Sequence, residues 1–197
     1  MKAKTLFLLL ALALLVTGCQ SYQFHGEPYQ SPQAAPAITG LDQEGRNFSL
    51  NALSGKVVLV FFGYTSCPDV CPTTLAEMRV LREALGDKAD QVQVVYVSVD
   101  PERDTIARLK EYIPAFDPSF IGVHVNSIDL ESIKQAYGVV AEKVYYNAQD
   151  TAAGYSVDHT ARLYLIGPRG RLVASFPYGT SVESIQKDVE YLLSEAR

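Results

Sequence analysis

Apolar positions recur along this chain with two different periods. Lys56-Val57-Val58-Leu59-Val60-Phe61-Phe62-Gly63-Tyr64 is almost continuously apolar and rich in β-branched residues, the mark of a strand buried on both faces in the middle of a sheet. A second such run covers Val92 to Val99. Between them Leu75, Met78, Val80, Leu81 and Leu85 repeat at helical spacing, with Pro72 suited to a first turn and Gly86 as the stop. Asp100 to Thr105 leads into a helix predicted over Ile106 to Tyr112, and Asn126 to Tyr137 reads as another helix capped by Ser127. Upstream, Leu41 to Leu50 reads as two short strands around a glycine turn. Downstream come strand-like pieces from Val139 to Tyr146 and a polar turn from Gln149 to Gly154. Arg162 to Ile166 and Arg171 to Phe176 flank Gly167-Pro168-Arg169-Gly170, a strong hairpin signal. Ser181 then opens an amphipathic helix through Ile185, Val189, Leu192 and Leu193.

Parallel β-α-β units followed by a hairpin and a closing helix predict an α/β sandwich of thioredoxin type over residues 38–197. Before Ile38 the periodicity fails. Gln20 to Ala37 is rich in Gln, Pro, Ser and Tyr and reads as a flexible tether, in which His25 is expected to be an exposed bystander. Earlier still, Lys2 and Lys4 precede an apolar run from Leu6 to Val16, short for a bilayer span and shaped like a signal peptide. The run ends in Leu15-Val16-Thr17-Gly18-Cys19, which resembles a bacterial lipobox. On that reading residues 1–18 are removed and Cys19 is lipidated, which supplies enough hydrophobic anchoring for stable attachment to a membrane. The domain is then expected on the extracytoplasmic, periplasmic side of the bacterial cell envelope.

Composition narrows the chemistry. The 197 residues are 48% hydrophobic and 20% charged, which fits one domain with an ordinary core. A net charge of −5 with no basic cluster argues against a nucleic-acid partner, because phosphate binding is carried by Lys and Arg. Of three cysteines, the lipobox takes one and leaves Cys67 and Cys71, in a compartment that permits disulfides.

Cys67-Pro68-Asp69-Val70-Cys71-Pro72 joins the buried strand to a helix start, where the backbone N–H groups and helix dipole are expected to favour thiolate. Side chains four apart on a helix lie on one face. The two sulfurs can therefore close into a disulfide or share an ion. The spacing also departs from the Cys-x-x-Cys of thioredoxin-like reductases. Three histidines could add a nitrogen ligand: His25, His124 and His159. His159 stands just before a strand and next to Asp158, whose carboxylate could orient the ring. His124 lies in an apolar strand and reads as a satisfied core or edge histidine.

Phe62 to Pro72, Asp100-Pro101-Glu102-Arg103-Asp104-Thr105 and Val157-Asp158-His159-Thr160, in that order, resemble the three signatures of the Sco/SenC family of copper-binding, thioredoxin-like proteins of cytochrome c oxidase assembly. The resemblance implies a central mixed sheet flanked by helices, with a β-hairpin insertion near the metal site. It implies Cu(I) or Cu(II) held by Cys67, Cys71 and His159, with accessory roles for Asp158 and Asp69, and a redox-active Cys67–Cys71 disulfide. Asp100 and Arg103 are expected to brace the nearby loop, while Gly63 and Pro68 shape the turn. The implied function is a copper metallochaperone, not an enzyme, that delivers copper to the dinuclear centre of cytochrome c oxidase subunit II or another copper acceptor. The alternatives are a thiol-disulfide reductase acting on the acceptor's cysteines, or a redox or copper sensor.

Overall fold

The computed structural model describes residues 22–147 and 154–195. Its central element is the all-buried run Val57–Gly63 (β4). Alternation along that strand puts neighbouring aromatic rings on opposite faces. Phe62 meets Tyr137 and Tyr164, whereas Phe61 meets Tyr96 and His159.

Eight strands form one sheet: Glu27–Ala34 (β1), Thr39–Asp42 (β2), Asn47–Ser49 (β3), β4, Val92–Ser98 (β5), Ile121–His124 (β6), Arg162–Ile166 (β9) and Arg171–Pro177 (β10). Their spatial order is β1-β10-β9-β4-β5-β6-β2-β3. β4, β5 and β6 run parallel, and the remaining pairs are antiparallel. The two continuous apolar runs are thus adjacent central strands, covered on both sides. Among the described residues Ala141–Tyr145 (β7) and Tyr155–His159 (β8) pair only with each other and make the expected hairpin insertion. Residues 148–153, most of the predicted polar turn between them, lie outside the described residues.

Among the described residues four α-helices complete the fold: Val70–Leu85 (α1), Ile106–Tyr112 (α2), Ser127–Tyr137 (α3) and Val182–Ser194 (α4). α1 ends at Gly86, whose φ of 52° favours glycine. α4 is capped by Ser181, whose side chain accepts the N–H of Ser184. The cap of α3 is Asn126 rather than Ser127: its side-chain oxygen accepts the N–H groups of Ile128 and Asp129.

The tether expectation is overturned for the described part of that segment. Residues from Tyr22 onward belong to the domain, and β1 is an edge strand on β10. Its polarity misled the reading because an edge strand with one solvated flank needs few apolar residues. Pro28 and Pro32 are tolerated there, beside a register shift between Pro28 and Gln33. His25 is no bystander either. The buried Asp188 carboxylate of α4 accepts the Tyr22 hydroxyl at 2.7 Å, the N–H of Gly26 at 2.9 Å, and the backbone N–H and ring Nδ1 of His25 at 3.0 and 2.9 Å. Tyr22 also stacks on Tyr191, with centroids 3.8 Å apart. The signal-like segment, Gln20 and the lipobox Cys19 lie outside the described residues.

Candidate metal centre

The site forms where β4 ends and α1 begins. Gly63 closes the strand, and the loop that follows is pinned from two sides. Asp104, wholly buried, accepts the N–H of Thr65 at 3.0 Å and its hydroxyl at 2.7 Å. The N–H of Cys67 donates to the Tyr64 carbonyl at 3.1 Å. Cys67 is left half-buried in the loop, while Cys71 sits fully buried in the first turn of α1. Both are free thiols, and the N–H of Cys71 points at Cys67 Sγ at 3.5 Å.

His159 arrives from the far end of the sequence. It is the last residue of β8, and its Nε2 lies 3.3 Å from Cys71 Sγ. The ring stands edge-on to Phe61 and Tyr64, at centroid distances of 5.9 and 5.8 Å. The ligand atoms of Cys67, Cys71 and His159 all lie within 4.8 Å of one another. Metal bonds to sulfur and nitrogen of about 2.0–2.3 Å put that spacing within reach of one ion. Two soft sulfurs and one imidazole suit copper in either common oxidation state.

Glycine at position 63 is a steric requirement of this arrangement. A Cβ there would lie 2.8 Å from Cys71 Sγ and 2.9 Å from the rings of Phe61 and Tyr96.

Burial sets the protonation of Cys71 and His159. It pushes the Cys71 thiol well above the ordinary range, against the smaller lowering effect of a backbone hydrogen bond in the Tyr64 loop. This corrects the expectation that the helix start favours thiolate: at Cys71 desolvation outweighs the dipole. His159 is held below the ordinary imidazole range, first by burial, with the Thr160 carbonyl and the Asp158 charge opposing. The ring is therefore a neutral, ligand-ready base at neutral pH.

The accessory carboxylates stand apart from the triad. Asp158 is exposed, and the hydrogen-bond partner of His159 Nδ1 is the Thr160 carbonyl at 3.2 Å, so the orienting role expected of Asp158 falls to the main chain. Asp69 is exposed at the N-cap of α1, where its backbone carbonyl accepts the N–H of Thr73 and its side chain makes no capping bond. Pro68 is exposed in the same turn. Asp100 and Arg103 do pair with each other and brace the loop after β5. His124 Nδ1 meets the Asp104 carbonyl at 3.0 Å, so this histidine is satisfied, as expected, though in β6, an inner strand between β5 and β2.

Sequence reasoning overlooked Tyr64 and Tyr96, which wall the site, and Asp104, which holds its loop. A polar residue inside an otherwise buried stretch was the available signal: Tyr96 and Ser98 interrupt the apolar run of β5, and Ser98 donates to Asp104 at 2.7 Å.

The chain is similar to known proteins along most of its length. The SCO1/SenC family model matches residues 27–194. A putative copper-binding protein of Stutzerimonas stutzeri is 35% identical over 166 residues, covering 84% of this chain and 79% of its own length. The structure of Bradyrhizobium japonicum ScoI with copper bound superposes with a TM-score of 0.72 at 38% identity, over 81% of this chain and 99% of the other. BsSco, described as a Sco-family cytochrome c oxidase assembly protein with a disulfide switch, superposes with a TM-score of 0.64 at 25% identity, over 84% of this chain and 97% of its own.

Proposed function

The chain belongs to the SCO1/SenC family, and from that premise we propose that it is a copper metallochaperone serving cytochrome c oxidase assembly, with Cys67, Cys71 and His159 as the ligands. Copper is its cargo. The observation that carries the reading is the convergence of two thiols and a neutral imidazole within 4.8 Å, with Cys67 and His159 only half-buried. Cys71 holds from inside, while the outer ligands leave a side from which the cysteines of an acceptor can attack. Three ligands give a site that binds firmly and can still exchange. The acceptor we assign is the dinuclear copper centre of oxidase subunit II. Copper binding requires deprotonated thiols, so oxidation of the pair to a disulfide shuts the site.

The experiment is a copper titration of the reduced protein beside His159→Ala, with transfer to a copper-free subunit II domain followed by absorption. The expected result is one copper per chain, at least tenfold weaker binding in His159→Ala, and transfer that fails for Cys67→Ser and Cys71→Ser. Unchanged binding in His159→Ala would sink the three-ligand assignment.

A second reading draws on the two free thiols at a helix start, one accessible and one buried. In a thiol-disulfide reductase Cys67 would attack an acceptor disulfide, and Cys71 would resolve the mixed disulfide as the acceptor leaves reduced. That chemistry does not use His159. Full activity of His159→Ala together with loss in both cysteine variants selects it.

A further inference from the structure

Among the described residues the strand that presents His159 shares no ladder with the main sheet: β7 and β8 pair with each other. β7 is largely exposed. Side-chain contacts therefore help to set where the hairpin sits, and a group of them converges on Tyr155, the first residue of the strand that ends in His159.

Asp100, whose side chain is fully buried, accepts the Tyr155 hydroxyl at 2.9 Å and pairs with Nε of Arg103. Arg103 in turn donates through Nη1 to the Tyr155 carbonyl at 2.7 Å. Its guanidinium carbon lies 3.7 Å from the centroid of the Tyr155 ring, a cation–π contact in a partly desolvated setting. The other strand is held as well. Lys143 of β7 lies 4.7 Å from the same ring centroid and bonds Glu102 at 2.6 Å. The loop from Asp100 to Asp104 thus grips the hairpin at one end, while at the other Asp104 grips Thr65 in the cysteine loop. One short segment spaces both halves of the metal centre.

We propose that Arg103 and Tyr155 are positioning residues for copper: with Asp100 they lock the β7–β8 hairpin so that His159 already faces Cys71 when the ion arrives. The inference rests on the copper site assigned above. Neither residue touches the metal; each acts through His159 by removing the cost of ordering the hairpin on binding.

The test is a double-mutant cycle on the full chain, comparing the parent, Arg103→Ala, His159→Ala and the double variant, with Tyr155→Phe alongside. The readouts are copper affinity by chelator competition, nitrogen hyperfine structure in the Cu(II) electron paramagnetic resonance spectrum, and hydrogen exchange in the hairpin. Arg103→Ala should weaken copper about tenfold, the worth of one charge-assisted hydrogen bond. It should also deplete the nitrogen-ligated signal and speed exchange in β7 and β8. The double variant should bind like His159→Ala alone, because the effect runs through that ligand. Tyr155→Phe keeps the stacked ring, guards against a variant that fails to fold, and should show a smaller change of the same kind. An Arg103→Ala loss that adds in full to that of His159→Ala, or native nitrogen hyperfine in both Arg103→Ala and Tyr155→Phe, overturns the positioning role alone. A His159→Ala protein that binds copper like the parent removes the copper-site assignment and this inference with it.

Discussion

At the level of single residues, the site is built by what is missing as much as by what is present. Gly63 has no Cβ, and that gap is where Cys71 Sγ and the rings of Phe61 and Tyr96 approach. Gly63→Ala should cost about 1–3 kcal/mol through overpacking and weaken copper binding by displacing the buried sulfur. Chemical denaturation and a copper titration measure both. The burial that makes room for a soft ion also sets the pH window. The fold disfavours imidazolium at His159 and thiolate at Cys71. With ordinary values near about 6.5 and 8.5, reduced, metal-free protein should be most stable between them. As pH falls below the ordinary imidazole value, the unfolded chain takes up protons that the fold resists, and stability drops. As pH rises past the ordinary thiol value, the unfolded chain releases a proton that the fold retains, and stability drops again. Denaturation midpoints from pH 5 to 9, below the range where the buried tyrosines contribute, should show that plateau, with His159→Ala flattening the acid limb and Cys71→Ala the alkaline one. Copper uptake should strengthen with rising pH because the ion displaces thiol protons.

At the level of elements, the chain does most of its positioning with short connections and edges, where sequence patterns are weakest. β4, β5, α1 and α4 were legible because burial enforces an apolar run or a helical stripe. β1 was not, since Pro28, Pro32 and its exposed polar residues satisfy an edge strand as well as they would a loop. What fixes that segment is a remote acceptor, Asp188, which no local pattern joins to Tyr22, His25 and Gly26. Asp188→Asn should lower stability by about 2 kcal/mol, as hydrogen bonds to a buried charge are weakened. It should also raise amide exchange selectively in residues 22–34. Native protection there would show that the β1–β10 ladder holds the segment unaided.

At the level of the whole molecule, docking of Tyr22 changes how the anchor would work. If Cys19 is lipidated, as its lipobox-like setting leads one to expect, only Gln20 and Ser21 separate it from a residue stacked on α4, so the domain would ride close to the bilayer rather than on a long leash. Cys19→Ser should move the protein from the membrane fraction to the soluble fraction on cell fractionation; retention in the membrane would refute the lipid anchor. The sequence by itself determined the sheet-and-helix frame, because long apolar runs can be buried in few ways, and the resemblance of its contiguous motifs to those of a known family implied the three candidate ligands. Only the tertiary structure decided that Cys71 is the buried sulfur, that Thr160 rather than Asp158 turns the imidazole, and that one loop spaces the cysteines from the histidine. Those outcomes depend on desolvation and on contacts between residues far apart in the chain, and both exist only once the chain has folded.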